Sequence, residues 1–287
     1  MSTFYYYGKS LLHVCGRAGT CSVRDYNRLM EKGKLSKERL EMLSVIKRHR
    51  LLTLPMTAFL LKMEERKLYE DLEALSEYGL VIKQFYEYMY DGENLRSEGF
   101  YCLSPMKPGL EPGRAGDFVW KKELKMEDAM SILAFNQFHI ALTSNVPKKA
   151  VYARLNYLVR GACMDGIYHL KGRRYVLGYS HMIAVAVRDF AERNKGIADS
   201  IHKVWEHYAY GEEKNPWFVL ICENKLQCAN ISRRIRARPD MAEIRVFFVL
   251  DTDLDFQENP LMVLQNYRFA GEGREIISET YEIAKWF

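Results

Sequence analysis

"EERKLYEDLEALSEYGLVIKQFYEYMY", residues 64–90, is the stretch of sequence that decides the fold. Its first half places Leu68, Leu72 and Leu75 at positions i, i+4 and i+7, which form one apolar stripe on a helix. Gly79 follows where that helix must end, because glycine readily adopts the left-handed conformation of a C′ residue. The second half alternates between apolar and polar residues. The stretch therefore predicts a helix that ends at a glycine and passes directly into a strand.

Two further helices are predicted before this stretch. Ser36 is a good N-cap for a helix over residues 37–50, since its hydroxyl can accept a hydrogen bond from the first turn. Thr53 and Pro55 then mark the start of a shorter helix over residues 55–63, because proline is tolerated at the first helical positions.

A hairpin completes this part of the chain. After the strand, a turn leads to "FYCLS", residues 100–104, which we expect to return as the second strand. Three helices followed by a hairpin predict a winged helix-turn-helix domain over residues 35–104. Residues 1–34 are left as an N-terminal extension, whose tyrosine-rich start at Tyr5–Tyr7 could add a strand to either domain.

A second domain follows a linker. "PMKPGLEPGRAG", residues 105–116, holds three prolines and three glycines, so we place a linker at residues 105–118 and a mixed α/β domain at residues 119–287. Two apolar runs flanking a helix predict a β-α-β unit with parallel strands. The predicted elements are helices over residues 125–145, 181–194, 197–210 and 224–238, and strands over residues 150–159, 163–170, 173–180, 217–222 and 244–251.

The order of these features resembles the replication-relaxation family of plasmids and conjugative elements. The resemblance covers roughly residues 36–255 and rests on the "L..L.EYGLV" ending of the third helix, the return at "FYCLS", the helix with "FNQFHIAL", the Asp-Gly hairpin and the final strand, Arg-containing helix and strand. It implies a protein acting on the DNA of mobile elements. It also implies that the second domain is a PD-(D/E)xK, restriction-endonuclease-like fold with a degenerate active site.

The Asp-Gly hairpin tests whether that fold can still cut DNA. "MDGIYHLKGRRYVLGYS", residues 164–180, predicts two strands joined at Lys171-Gly172, with Asp165 as a first metal ligand. A nuclease of this kind needs an acidic residue and a lysine on the next strand, to hold Mg²⁺ and position water. The predicted second strand has neither. We therefore expect no catalytic residues and no enzyme activity; a migrated ligand at Asp189 is an arbitrary alternative, and Asp-Gly is also a common turn pair.

The third helix of the winged domain is acidic, which bears on how it would meet DNA. Residues 64–78 carry six carboxylates against Arg66 and Lys67, a net charge of −4, and phosphates would repel them. Arg66 and Lys67 lie at the N-terminal end, where such helices contact bases. We expect these two residues to anchor the helix on DNA. The alternative is that the acidic helix binds a protein partner.

The second domain carries the other basic residues. "SRRIRARP" places Arg233, Arg234, Arg236 and Arg238 on one helix. "KGRRY", residues 171–175, adds Lys171, Arg173 and Arg174 at a hairpin tip. A charge run is usually only a solvated helix face, but patches that converge would bind phosphates. We predict that these seven residues contact DNA.

Composition narrows the classes of function. The chain of 287 residues is 48% hydrophobic with a formal charge of +5, which fits a globular protein and is compatible with nucleic acid. Six scattered cysteines and no signal peptide predict the cytoplasm, and no apolar run suits a membrane helix. The spacing of His13, Cys15 and Cys21 suits ordinary thiols better than zinc. No glycine-rich phosphate loop occurs, so neither metal nor cofactor is expected.

The sequence thus predicts a non-catalytic DNA-binding protein of a bacterial mobile element, acting in replication, transfer or transcriptional control. DNA is the expected partner, together with replication or transfer proteins, and no membrane is involved. A protein-interaction module built on the acidic helix is the alternative, and a metal-dependent nuclease is a third. The apolar C-terminal "YEIAKWF", residues 281–287, could be buried within the chain or against a second copy, so a homodimer also stays open.

Overall fold

A computed structural model describes residues 11–15, 21–90, 93–104, 126–145, 151–159, 162–170, 181–186, 193–209, 217–254, 263–269 and 275–282. The chain divides into two compact units: an N-terminal unit, Tyr5–Leu133, and a C-terminal unit, Ala134–Phe287 together with Met1–Phe4. The division falls inside helix α5 (Met126–Asn145). The predicted linker, residues 105–118, lies outside the described residues.

Within its described residues, the N-terminal unit combines four helices and the start of α5 with a sheet of five strands. Its elements are α1 (Val23–Glu31), α2 (Lys37–His49), α3 (Leu54–Leu61) and α4 (Glu65–Glu77), and β1 (Leu11–Cys15), β2 (Leu52–Thr53), β3 (Val81–Tyr90), β4 (Glu93–Arg96) and β5 (Phe100–Leu103). The three predicted helices, the strand that follows them and the returning strand are confirmed as α2, α3, α4, β3 and β5.

Local hydrogen bonds explain where these helices begin and end. The Ser36 hydroxyl accepts from the amide of Arg39, and the Thr53 hydroxyl accepts from the amide of Met56. Gly79 has φ +70°, and the amide of Leu80 donates to the carbonyl of Leu75 at 2.9 Å. This is the Schellman arrangement that releases the chain from α4 into β3.

The sheet is organised around β3. The strand order is β1-β3-β5-β2, all neighbours being antiparallel, and β4 also pairs with β3. Ser97 follows β4, and its hydrogen bonds continue the pairing with β3 on the way to β5. The amide of Tyr86 donates to Ser97 Oγ at 2.8 Å, and the amide of Ser97 donates to the carbonyl of Tyr86 at 2.7 Å. The chain thus returns along β3 in two pieces.

The predicted N-terminal extension contains regular structure. Leu11–Cys15 forms β1 along one edge of β3, and Ser22 and Asp25 form a reciprocal capping box at the start of α1. Residues 5–7, whose role the sequence left open, lie outside the described residues.

Packing of α4 follows its apolar stripe. Leu68, Leu72 and Leu75 are fully buried, as are Met42 and Ile46 of α2. The predicted stripe is confirmed. Burial of each such leucine stabilises the unit by about 1.5–3 kcal/mol relative to leaving it in water.

The described part of the C-terminal unit is a mixed α/β structure around a sheet of seven strands. Its elements are the greater part of α5, then β6 (Val151–Val159), β7 (Ala162–Leu170), β8 (His181–Ala186), α6 (Arg193–Ala209), β9 (Trp217–Cys222), α7 (Lys225–Arg236), β10 (Arg245–Leu250), β11 (Val263–Phe269) and β12 (Ile276–Glu282), with short 3₁₀ helices at Pro239–Met241 and Asp251–Asp253.

The strands follow one another across the sheet in the order β6 to β12. Pairs β6–β7, β7–β8, β10–β11 and β11–β12 are antiparallel, whereas β8–β9 and β9–β10 are parallel. The predicted β-α-β unit is confirmed as β9, α7 and β10. Every residue of β9 is buried, as expected for a strand covered on both faces.

One predicted helix is wrong. Residues 181–194 were expected to be helical, but residues 181–186 form β8, which pairs with β7 on one side and β9 on the other. Residues 182–186 are a short apolar run with β-branched Ile183 and Val185, which suits a strand, and hydrophobic periodicity alone cannot separate a strand from a helix at this length. The predicted strand over residues 173–180 lies outside the described residues, and β8 pairs with β7 on the side away from β6.

Helices α6 and α7 pack on the sheet through a continuous apolar cluster. Ile201 and Val204 of α6 meet Ile231 of α7, together with Phe218 and Phe248 from the sheet. The cluster fixes α7, and with it the last helical turn that carries the predicted arginines.

Candidate nucleic-acid interface

Arg66 and Lys67 lie in the first turn of α4, and both side chains are exposed. Arg66 Nε lies 3.8 Å from Glu70 Oε1, with the two side chains 87% and 70% exposed. An ion pair so open to water holds the guanidinium weakly. Both cations are therefore accessible to a phosphate at this end of the helix.

The acidic residues of α4 are not equivalent. Asp71 Oδ1 accepts a hydrogen bond from Arg39 Nε at 2.8 Å, which links α4 to α2. That hydrogen bond is the largest cause raising the pKa of Arg39. Four other acidic side chains of this segment, in contrast, are exposed to solvent: Glu64, Glu65, Glu70 and Glu77. Glu64 and Glu65 immediately precede Arg66 and Lys67, so this solvent-facing group opposes the approach of phosphates in the first turn of α4 as well as beyond it.

The β3–β4 hairpin carries a cation that the sequence reasoning missed. The guanidinium of Arg96 lies 4.3 Å from the ring centroid of Phe85, and Arg96 Nη2 donates to Glu87 Oε1 at 2.9 Å. On the other side, the His13 ring stacks on Phe85 with centroids 4.9 Å apart. His13 and Phe85 face each other in the β1–β3 register, so the stack became recognisable only once that pairing was known.

A second cation of β3 is held by aromatic rings. Lys83 Nζ lies 4.9 Å from the ring centroid of Tyr69 and 5.8 Å from that of Tyr101. Burial is the largest cause raising the pKa of the Tyr101 hydroxyl, so this ring stays neutral beside the ammonium. These contacts fix Lys83 between α4 and β5.

Three of the predicted arginines of α7 are exposed. Arg233, Arg234 and Arg236 lie in its last turn, where the helix dipole favours cations. Asn224 caps the other end by accepting from the amide of Gln227 at 2.9 Å. Arg233 Nη2 donates to Asn230 Oδ1 at 3.0 Å. The helix thus presents three guanidinium groups within one turn.

Arg238, which was predicted to lie on the same helix, follows the end of α7 and forms ion pairs with two carboxylates. Its Nη2 donates to Asp240 Oδ2 at 2.7 Å, and its Nη1 donates to Asp199 of α6. His202 Nε2 lies 3.3 Å from Asp240 as well. The hydrogen bonds to Asp240 and Asp199 raise the pKa of Arg238, in that order of importance. Two carboxylates offset its charge, so Arg238 ties the 3₁₀ helix Pro239–Met241 to α6.

The structure thus brings the predicted residues together in two groups. Arg66 and Lys67 lie on α4 in the N-terminal unit, and the arginines of α7 lie in the C-terminal unit. Lys171, Arg173 and Arg174 lie outside the described residues.

Beside the arginines of α7 lies a cavity of about 530 Å³. Arg236, Arg245 and Asn266 line it together with apolar side chains. Arg245 and Asn266 were missed because they lie on different strands, and nothing local in the sequence joins them to α7.

The expected nuclease residues can be placed on the sheet by their strands. Asp165 belongs to β7, whose neighbour β8 reads "HMIAVA" and contains no carboxylate and no lysine. Within the described part of the chain, no group of three or more His, Cys, Asp or Glu side chains could hold a metal ion. His202 and Glu206 approach only to 3.9 Å on α6.

Comparison with known proteins adds nothing to this geometry. No protein-family model, curated protein or solved structure matches the chain. Across the described residues, the helices are all too short or too polar to cross a membrane.

Proposed function

We propose that the protein is a non-catalytic DNA-binding protein of the kind found in bacterial mobile elements, acting in their replication, transfer or transcriptional control. The observation that carries the proposal is the order of elements in the N-terminal unit. In chain order, this unit runs from helix α2 through strand β2 and helices α3 and α4 to strands β3, β4 and β5. Strands β3, β5 and β2 lie side by side in the sheet in that order. That order supports a winged helix-turn-helix domain, with α4 as the recognition helix and β3–β4 as the wing.

The exposed arginines of α7 support a second point of contact. Guanidinium groups bind phosphate oxygens in a bidentate manner, and Arg233, Arg234 and Arg236 lie within one turn. We assign Arg66 and Lys67 to anchoring α4, and the arginines of α7 to holding the phosphate backbone. Lys171, Arg173 and Arg174 stay in the proposed surface on their sequence alone.

The likeness to a degenerate PD-(D/E)xK nuclease belongs to the same proposal. The C-terminal unit runs helix, three antiparallel strands, helix and a strand parallel to the third, with Asp165 on the second strand. Strand β8 offers no second ligand for Mg²⁺, so the C-terminal unit would bind DNA without cutting it. Mg²⁺-dependent nicking that Asp165→Ala abolishes would instead establish the nuclease alternative.

Fluorescence anisotropy of a labelled random-sequence duplex tests the proposal. With the full chain, affinity should fall linearly in a log–log plot between about 50 and about 200 mM salt, with a slope of several counterions. Arg234→Gln should reduce that slope by about one, because it removes one phosphate contact. Arg238→Gln is the matched control, since its charge is already offset by Asp199 and Asp240. Circular dichroism should verify that both variants fold.

The absence of binding at low salt would refute the DNA proposal and favour the second candidate. In that case the exposed carboxylates of α4 serve as a docking surface for a basic protein. Glu64, Glu65, Glu70 and Glu77 are the residues that support it. Charge reversal at Glu65 and Glu70 should then abolish capture of a basic partner and leave the fold intact.

A further inference from the structure

The cavity beside α7 combines an apolar base with a cationic mouth. Its volume of about 530 Å³ falls within the range of small-molecule sites. Buried Ile235, Met241 and Phe248, which belong to the apolar cluster that packs on α7, provide apolar lining. The ring of Phe248 packs edge-on against Tyr267, with centroids 6.3 Å apart, which holds the aromatic side chain in place. A cavity with such a base favours a ligand that has an apolar, flat part.

Among the described residues that line the cavity, the charged ones are both cations. Arg236 from the last turn of α7 and Arg245 from the start of β10 both line it, and both are exposed. None of the described lining residues carries a carboxylate. In contrast to Arg238, Arg236 forms no ion pair with a carboxylate of the described residues. A phosphate at the mouth would therefore meet at least one guanidinium that no carboxylate of the described residues occupies.

Two neutral polar groups complete the lining. The side chain of Ser232 is buried, and that of Asn266 on β11 is half-buried. A hydroxyl and a carboxamide can both donate and accept hydrogen bonds, as the edge of a nucleobase or a sugar hydroxyl requires. A bare inorganic anion would leave the apolar base and these groups unused.

We propose that this cavity binds a nucleotide, with its phosphate at Arg236 and Arg245 and its nucleoside over the apolar base. The same chemistry could come from a free nucleotide or from the phosphorylated end of a DNA strand. The proposal shares Arg236 with the proposed DNA-binding surface. It rests on the DNA-binding function only where the nucleotide belongs to a DNA strand.

Isothermal titration of the full chain with deoxyadenosine 5′-monophosphate tests the cavity directly. We expect binding about 10- to 100-fold tighter than for deoxyadenosine or for inorganic phosphate, because only the nucleotide uses both ends of the cavity. Arg236→Gln should weaken binding by at least about tenfold. Lys225→Gln, which removes one positive charge at the other end of the same helix, is the matched control and should leave the affinity unchanged.

Ala242→Trp separates the cavity from surface charge. Ala242 is an exposed lining residue, so a large ring there should obstruct the mouth without altering charge or the buried core. This variant should lose the nucleotide and keep its affinity for duplex DNA. Equal loss in Lys225→Gln and Arg236→Gln, or unchanged binding in Ala242→Trp, would overturn the proposal. Failure to bind the nucleotide at millimolar concentration would overturn it as well.

Oligonucleotides distinguish the two sources. If the ligand is a strand end, a 5′-phosphorylated single strand should bind more tightly than its 5′-hydroxyl counterpart, and the nucleotide should compete with it. Equal binding of the two strands, with the free nucleotide still bound, assigns the site to a free nucleotide. The duplex salt titration is independent of these assays. If the full chain binds the nucleotide but not the duplex, the DNA proposal is refuted and the cavity proposal is not affected.

Discussion

Asp71 and Glu70 are neighbouring carboxylates on α4 whose ion pairs should differ greatly in strength. Asp71 pairs with Arg39 at 2.8 Å, and the two side chains are only 17% and 21% exposed. Glu70 lies 3.8 Å from Arg66, with exposures of 70% and 87%. Truncating each residue to alanine removes the same unit of charge from the same helix. The pair of variants therefore isolates the effect of burial and geometry.

The expected cost follows from those contacts. Asp71→Ala removes a charge-assisted hydrogen bond and leaves the largely covered Arg39 guanidinium without its carboxylate. The loss should be about 1.5–3 kcal/mol in the free energy of opening α2 and α4. Arg39 Nη1 keeps its hydrogen bond to the carbonyl of Lys34, so the side chain stays partly held. Glu70→Ala should cost about 0–0.5 kcal/mol, as solvent-exposed helical pairs do.

Native-state hydrogen exchange followed by mass spectrometry measures the difference where it arises. Peptides from α2 and α4 should exchange roughly 10- to 150-fold faster in Asp71→Ala, and less than about threefold faster in Glu70→Ala. A peptide from β9, in the C-terminal unit, is the internal reference and should not change.

Equal acceleration in the two variants would refute this reasoning, because burial and distance would then not determine the strength of the pairs. A double-mutant cycle with Arg39→Gln supplies the second check. Its coupling energy with Asp71→Ala should exceed about 1 kcal/mol, whereas a value near zero would mean that the hydrogen bond contributes nothing net.

Three further outcomes are expected. The hydrogen bond from Arg96 is the largest cause lowering the pKa of Glu87 below its ordinary value, so the pair stabilises the β3–β4 hairpin at higher pH, and this stabilisation is lost as the pH falls through the lowered pKa. Hydrogen exchange of the hairpin amides, corrected for intrinsic rates, should accelerate over that pH range, and Glu87→Gln should remove the pH dependence. Ser97→Ala should destabilise the N-terminal unit by about 1–3 kcal/mol in urea unfolding, because the buried amide of Tyr86 loses its acceptor; an unchanged midpoint would contradict this. Burial raises the pKa of the Cys102 thiol to about 12, so iodoacetamide at pH 8 should label Cys102 only after unfolding; native labelling detected by mass spectrometry would contradict the packing of β5.

Sequence reasoning succeeded wherever structure depends on a few adjacent residues. Ser36 and Thr53 mark helix starts because a side chain satisfies a backbone amide within the same turn. Gly79 marks a helix end because its own φ angle determines where the chain goes next. The stripe of α4 needed only helical spacing. These features gave the three helices and the hairpin of the N-terminal unit with nearly correct boundaries.

Reasoning from sequence failed where a partner distant in the chain decides the outcome. Residues 181–186 become β8 because β7 and β9 lie on either side, which no local pattern in this short, largely apolar segment reveals. In the sequence, Arg238 belongs to a basic run. In the structure it donates a hydrogen bond to Asp199, 39 residues earlier, and that carboxylate offsets part of its charge. Strand β1 went unnoticed because five residues become a strand only through β3.

The position of the α7 arginines limits how this helix can meet a phosphate. Arg233, Arg234 and Arg236 lie at the C-terminal end of α7, where the helix dipole is negative and the backbone offers carbonyls. A helix binds anions through backbone amides only at its N-terminus, so contact at this end must come entirely from side chains. Substitution of all three arginines by glutamine should therefore abolish phosphate contact at α7 while stability falls only slightly. If contact persisted after that change, other groups of the C-terminal unit would have to hold the phosphate.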